Sequence, residues 1–397
     1  MKQKKGFWKG ALCGALAMLA ICLVVGGGLS IFSLMGKVLN TDEDRIVANR
    51  TLQKLEAIQE LIDKYYLYSD EVNTETLQDY LVKGYVNGLQ EPYSVYYDKA
   101  ETTTLFESTS GTFGGIGVGI MQDNTSGLVT FTKIYKDSPG EKAGFKEGDI
   151  VYKVNGEDVT GLDLDTIVSQ IRGEIGTKVE ITVVRDGEEY TGTATRALIE
   201  NDTVEYEMKQ DKLGYIQVTG FEEVTLKQFE EALDDLNKQG MKGLIIDLRS
   251  NPGGNLSTVV DMVDLILSEG TIVSIKDKNG TGNVYTAKKD NKLTVPLVVL
   301  INGYSASASE IFAGAVKDHK LGTLVGTTTY GKGIVQNIYP LNDGTCLKIT
   351  SAEYFTPNGT NIHGIGVAPD VEIEYEYDEN NPEKDNQLEK AIEVLKK

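Results

Sequence analysis

Apolar residues recur at helical spacing in two early segments. Ile46, Leu52, Leu55, Ile58, Leu61, Ile62 and Tyr65 do so over 45–66, and Leu77, Leu81, Tyr85 and Leu89 over 74–89. Both segments predict amphipathic helices in a region covering residues 41–110. From Gly111 to Arg196 the pattern changes to short apolar runs separated by turn residues. The stretches 129–134, 150–154 and 179–185 read as strands, with Asn155-Gly156 and Asp186-Gly187 as hairpin turns, and 164–171 as a short helix. After Ala197 strands and helices alternate. Residues 214–218, 243–248 and 295–301 are predicted strands, and 226–238, 256–267 and 308–318 predicted helices. Such alternation implies an α/β domain whose ligands sit at the carboxyl ends of the strands. Pro382 precedes a last helix bearing Leu388, Ile392 and Leu395.

One further apolar run, about Ala11–Met35, follows Lys2, Lys4, Lys5 and Lys9. It is long enough to span a bilayer, and the basic flank places the remainder outside the cytoplasm. Residues 1–40 are therefore expected to be an uncleaved membrane anchor, with a cleaved signal peptide as the alternative. The paired helices of 41–110 are expected to pack within the chain or to contact a second copy of it.

Composition narrows the partners. Lys and Arg number 39 against 59 Asp and Glu, a formal net charge of -20. Such a surface disfavours nucleic acid. Residues 376–397 are strongly acidic and read as solvated surface. Of the three cysteines only Cys346 lies beyond the apolar run, so no intrachain disulfide framework exists there. There is no HExxH, no His/Cys cluster and no Walker-type loop, and no metal or cofactor is expected.

Three loops carry the candidate chemistry. Ser305-Ala306-Ser307-Ala308-Ser309-Glu310 joins a strand to a helix. A Ser there can be a helix cap, or a nucleophile with backbone N–H groups facing a developing oxyanion. Asp247-Leu248-Arg249-Ser250-Asn251-Pro252-Gly253-Gly254 also joins a strand to a helix, as a tight turn or as part of such a hole. Thr329-Tyr330-Gly331-Lys332-Gly333 holds a Lys that is either solvated or, if buried, lowered toward use as a general base. His319 and His363, the two histidines of the chain, are the alternative bases.

Taken together, these loops resemble the carboxyl-terminal processing peptidases. Gly303–Phe312, Gly331-Lys332-Gly333 with Gln336, the Asp247–Gly254 loop, Pro92-Tyr93-Ser94, Phe113–Gly117 and the stretch Thr356–Asp370 carry the resemblance, over about residues 45–375. It implies an α/β catalytic core of the ClpP/crotonase-like class at 197–375, an inserted mainly-β PDZ domain at 111–196 and N-terminal helices. It implies Ser307 as nucleophile, Lys332 as general base and Gln336 as the residue orienting the Lys. The backbone N–H groups of Gly253 and Ala308 would be the oxyanion donors, with Asp318 a doubtful further participant.

Residues 111–196 resemble a bacterial PDZ domain through Asp137-Ser138-Pro139, Ala143-Gly144, Gly148-Asp149-Ile150 and Val154-Asn155-Gly156. That resemblance implies binding of a free peptide carboxylate by the loop containing Gly115, Ile116 and Gly117. Val118, Ile120, Ile167 and Ile171 would meet an apolar terminal side chain, unless they are core. Protein substrates with exposed apolar C-terminal tails follow as the expected partners. The domain would gate activity about hinges at 94–112 and 194–201.

Overall fold

The computed structural model describes residues 42–288 and 293–396. The chain divides into two compact units at Leu81/Val82. In the first, the helix Asp42–Tyr65 runs for 24 residues with charges on nearly every turn. Leu52, Leu61 and Tyr65 on it are exposed. No described helix is long and apolar enough to cross a membrane. The apolar run at 11–35 lies outside the described residues. The membrane-anchored, extracytoplasmic placement expected from that run is therefore corrected and carried no further: the longest described helix, with its recurring charges, could not lie in hydrocarbon.

The second unit is built on a six-stranded sheet in the order Val204–Lys209, Leu213–Val218, Gly243–Asp247, Leu297–Ile301, Thr323–Gly326, Val371–Glu372. The first pair is antiparallel and the others are parallel. The central strands are apolar on both faces, and the alternation divides them between two layers. Leu244, Ile246, Val299 and Ile301 pack with Phe229, Val259, Met262 and Phe312 of the helices Thr225–Lys238, Leu256–Asp264 and Ala308–Asp318. Ile245, Val298, Leu300 and Val325 pack with Ala391, Leu388 and Ile392 of the helix Asn386–Leu395. The acidic terminal segment is thus a layer of the core on its apolar side, where its charge alone suggested solvated surface. Burial on both faces is what a parallel sheet requires.

A second sheet borders the first. Cys346–Phe355 pairs along one edge with Ile334–Pro340, and along the other with Val95–Tyr97 and Gly270–Asp277. The ladder with Ile334–Pro340 has a bulge between Val335 and Gln336.

The inserted β-domain has strand order Val118–Gln122, Val129–Ile134, Ile150–Val154, Lys178–Arg185, Glu188–Thr195, with the helix Leu164–Ile171. Its core holds Phe131, Phe145, Ile167, Val179 and Ile181. The buried Asp149 carboxylate pairs with Arg185 through bonds of 2.6 and 2.7 Å. Entry and exit meet: Thr112–Gly115 pairs antiparallel with Ala197–Glu200. The expected hinge 194–201 thus meets the chain just after the other, 94–112, most of which is the strand Val95–Tyr97 and the helix Lys99–Ser110.

Candidate active site

The strand Leu297–Ile301 leads through Asn302–Ala306 into the helix Ala308–Asp318, with Ser307 at the junction. Ser307 has φ 54° and ψ -111°. That backbone region is sparsely populated for a residue with a Cβ, and it is held only where the surroundings over-determine it. Three contacts do so here. Ser305 Oγ donates to Leu248 O at 2.8 Å, and Ser309 Oγ donates to Asn251 O at 2.9 Å. Tyr354 OH donates to Ser307 O at 3.1 Å.

Glu310 is fully buried and accepts four hydrogen bonds. Oε1 takes Thr329 Oγ1 at 2.6 Å and Gly331 N–H at 2.7 Å, and Oε2 takes Lys332 N–H at 2.8 Å and Ser307 N–H at 2.9 Å. An acceptor-only carboxylate suits four donors. It fastens the Lys332 loop to the first turn of the helix.

Ser307, Ala308, Gly253, Gly254, Lys332 and Gln336 line one cleft of about 440 Å³, together with Lys348, Tyr354 and Ile311. Residues twenty-five positions apart in the chain, Ser307 and Lys332, thus line the same cleft. Burial lowers the Lys332 ammonium below its ordinary pKa, and the charge of Lys348 lowers it further, against the opposing pull of Glu91 and Glu310. Its Nζ lies 4.4 Å from the centroid of the Tyr93 ring.

Gly253 has φ 105°, and a Cβ there would stand 2.9 Å from both Ala308 N and Ser307 Cβ. Only glycine fits this approach. The Gly253 N–H is engaged by Asn251 Oδ1 at 2.8 Å. Gln336 Nε2 donates to Thr350 Oγ1 at 3.1 Å. Asp318 accepts from Asn358 N–H, and His319 Nε2 meets Thr271 O at 2.7 Å. Neither His319 nor His363 lines the cleft. Among the described residues no group of His, Cys, Asp and Glu is arranged to hold a metal ion.

In the β-domain, Ile116, Ile167 and Ile171 are buried in the core, whereas Val118 and Ile120 are half-buried on Val118–Gln122. That strand is at the sheet edge, paired among the described residues only with Val129–Ile134. Gly117 has φ 68°, and Gly114 O accepts from Gly173 N–H at 3.1 Å.

Residue types and spacing concealed the role of Glu310, which reads as a helix-start residue. Its signal was the Ser-x-x-Glu register of a capping box, Ser307 to Glu310. Lys348 and Tyr354 gave no local signal, because the pairing of Cys346–Phe355 brings them to the cleft, and the Pro92-Tyr93-Ser94 run gave no sign that Tyr93 packs against Lys332.

One cleft thus holds Ser307, at a strand–helix junction, and Lys332, whose charge burial disfavours. Residues 212–373 match the model of peptidase family S41, residues 130–185 a PDZ domain and residues 33–102 the activating protease CtpB N-terminal domain. The chain is 36% identical over 357 residues to the carboxy-terminal processing protease CtpA of Bacillus subtilis (strain 168), covering 89% of this chain and 76% of that protein. It is 36% identical over 305 residues to the carboxy-terminal-processing protease of Bartonella bacilliformis, covering 74% and 70%. A solved photosystem II D1 C-terminal processing protease is 31% identical over 80% of this chain and 86% of its own, with a TM-score of 0.48. The chain belongs to peptidase family S41 and is a carboxy-terminal processing serine peptidase.

Proposed function

We propose that the protein is an endopeptidase that cleaves proteins near exposed apolar C-terminal tails with a Ser307–Lys332 dyad. The observation that carries this reading is the shared cleft, in which Ser307 stands with a Lys whose burial disfavours its charge. Neutral Lys332 takes the Ser307 hydroxyl proton as Oγ attacks the scissile carbonyl. Lys332 then gives that proton to the leaving amine, and an ester links the acyl group to Ser307. Water, deprotonated by Lys332, attacks the ester and releases the new carboxyl end. Ala308 N–H and Gly253 N–H stabilise the oxyanion, and Gln336 orients Lys332.

Gly253 N–H must leave Asn251 Oδ1 to serve. This requirement supports a gated enzyme, in which PDZ occupancy moves the ribbon of Thr112–Gly115 and Ala197–Glu200. The tail would add as a strand to the free edge of Val118–Gln122. Its carboxylate would lie at Gly115-Ile116-Gly117 and its side chain near Val118, Ile120, Ile167 and Ile171. The domain bounds 111–196 and 197–375 enclose the PDZ and S41 matches. The parallel strands Leu213–Val218, Gly243–Asp247 and Leu297–Ile301, each followed by a helix, fit a core of the ClpP/crotonase-like class. The exposed apolar residues of the first unit fit a second copy as partner.

The test uses one unfolded peptide with an apolar C-terminus, free or amidated, with EDTA present. Wild type should cleave the free form faster, and Ser307→Ala and Lys332→Ala should cleave neither. Equal cleavage of both forms by wild type would remove tail recognition, and cleavage by either variant would remove the dyad.

A further inference from the structure

The turn at Glu91–Ser94 lies within the stretch matching the CtpB N-terminal domain, outside the S41 and PDZ matches, yet it places Tyr93 against Lys332 of the cleft. Its fold is local. Tyr93 N–H donates to Glu91 Oε1 at 2.8 Å and Ser94 Oγ to Glu91 Oε2 at 2.6 Å. The next residues, Val95–Tyr97, then join the edge of Cys346–Phe355. The turn docks on that strand twice: Thr350 N–H donates to Ser94 Oγ at 3.1 Å, and Thr350 Oγ1 donates to Glu91 Oε2 at 2.9 Å.

We propose that this turn is the positioning element of the base, with Tyr93 seating the Lys332 ammonium and Glu91 fixing the orientation of the Gln336 amide through Thr350. The proposal rests on the reading of Lys332 as general base. The direction of the relay carries the second half. A hydroxyl has one proton, and Thr350 gives it to the Glu91 carboxylate. Thr350 Oγ1 can then only accept from Gln336, so Gln336 turns its NH2 toward Thr350 at 3.1 Å and leaves its carbonyl oxygen as the free end. A free carbonyl is the end that can accept from a Lys Nζ. The bulge between Val335 and Gln336 sets the side chain opposite Thr350.

The first half rests on the ring. Tyr93 lies under Lys332 Nζ at 4.4 Å, and its hydroxyl is 3.4 Å from Tyr330 OH, two residues from the Lys. The ring face favours the ammonium, but the ring also excludes water, which favours the neutral amine. A flat ring gives a long flexible side chain one place to rest in either state. The other charges facing Lys332 are Lys348 from Cys346–Phe355 and Glu310 from the helix, and Glu91 and Glu310 act on it through space with no hydrogen bond to Nζ. The Glu91 carboxyl is itself pushed up by burial, but its bonds from Ser94, Tyr93 and Thr350 outweigh that and hold it ionised.

The experiment measures kcat and KM against pH for peptide cleavage by Tyr93→Leu, Tyr93→Phe, Glu91→Gln, Thr350→Val and Lys332→Ala in the full chain, with melting temperatures. Tyr93→Leu should lower kcat about tenfold or more with KM nearly unchanged, and Tyr93→Phe should restore it. Glu91→Gln should move the acid limb of kcat/KM to lower pH by roughly half a unit, because a charge that favours the ammonium is gone. Thr350→Val should lower kcat without moving that limb. The proposal is overturned if Tyr93→Leu and Glu91→Gln superimpose on wild type while Lys332→Ala is inactive. It is also overturned if their losses are uniform across pH and track the melting temperature. Retained activity in Lys332→Ala is a different failure, that of the base itself, and it removes the proposal with it.

Discussion

Ser307 and Lys332 donate their backbone N–H groups to the same carboxylate oxygen, Glu310 Oε2, at 2.9 and 2.8 Å. The Ser307 and Lys332 loops are therefore joined through one buried atom. Glu310→Gln tests the bridge. Whichever way the amide is turned, its NH2 faces two donors, Thr329 Oγ1 and Gly331 N–H or Ser307 and Lys332 N–H. The loss should be about 2–4 kcal/mol of stability, read by urea unfolding, with peptidase activity falling more than stability alone accounts for.

The pH profile should follow Lys332. Burial and then Lys348 lower its pKa, so activity should rise as pH passes upward through a value below the ordinary lysine range. Lys348→Met removes one of the lowering charges. Its acid limb should shift to higher pH, with the peptide-cleavage rate at neutral pH falling several-fold.

Much of this site was legible as loops, and less of it as contacts. The Ser cluster and the Asp247–Gly254 turn each lie between a parallel strand and a helix, and that local pattern placed both at the carboxyl ends of the strands. The helix at 164–171 and the strand at 129–134 were readable because their apolar spacing is local. The sheet made by Cys346–Phe355 was not. Its half-buried residues alternate weakly, and its partners come from positions 95, 274 and 334 onward. The turn that holds Tyr93 against Lys332 docks on that sheet, far along the chain from it. The terminal helix was legible as a helix, but its charge hid the burial of Ala391.

Gly253→Ala should fold poorly or not work. The added methyl would stand 2.7 Å from Ala306 O at a backbone φ of 105°. Strain of about 1–3 kcal/mol is expected, with kcat lowered at least about a hundredfold if this N–H serves the oxyanion. Circular dichroism and melting would separate the two effects.

Arg249 joins the terminal helix to the Asp247–Gly254 loop. It bonds Asp247 at 2.6 Å, Asp385 at 2.7 Å and Gln387 at 3.0 Å. Burial raises the Asp385 carboxyl, but Arg249 and the helix N–H groups hold it below its ordinary pKa. A carboxyl depressed in this way contributes stability above its unfolded pKa, and that contribution is lost as pH falls through the folded value. Asp385→Asn should destabilise by about 2 kcal/mol at neutral pH, and the gap from wild type should close in acid, below about pH 4. Melting curves between neutrality and pH 3 would show it.

The most direct test of the account is covalent labelling of Ser307 by a fluorophosphonate, followed by mass spectrometry across pH in the presence of EDTA. The account predicts one adduct, on Ser307, forming faster as pH rises, absent in Ser307→Ala and slowed by at least about a hundredfold in Lys332→Ala. Labelling of Lys332→Ala at the wild-type rate, or an adduct on another residue, would contradict it.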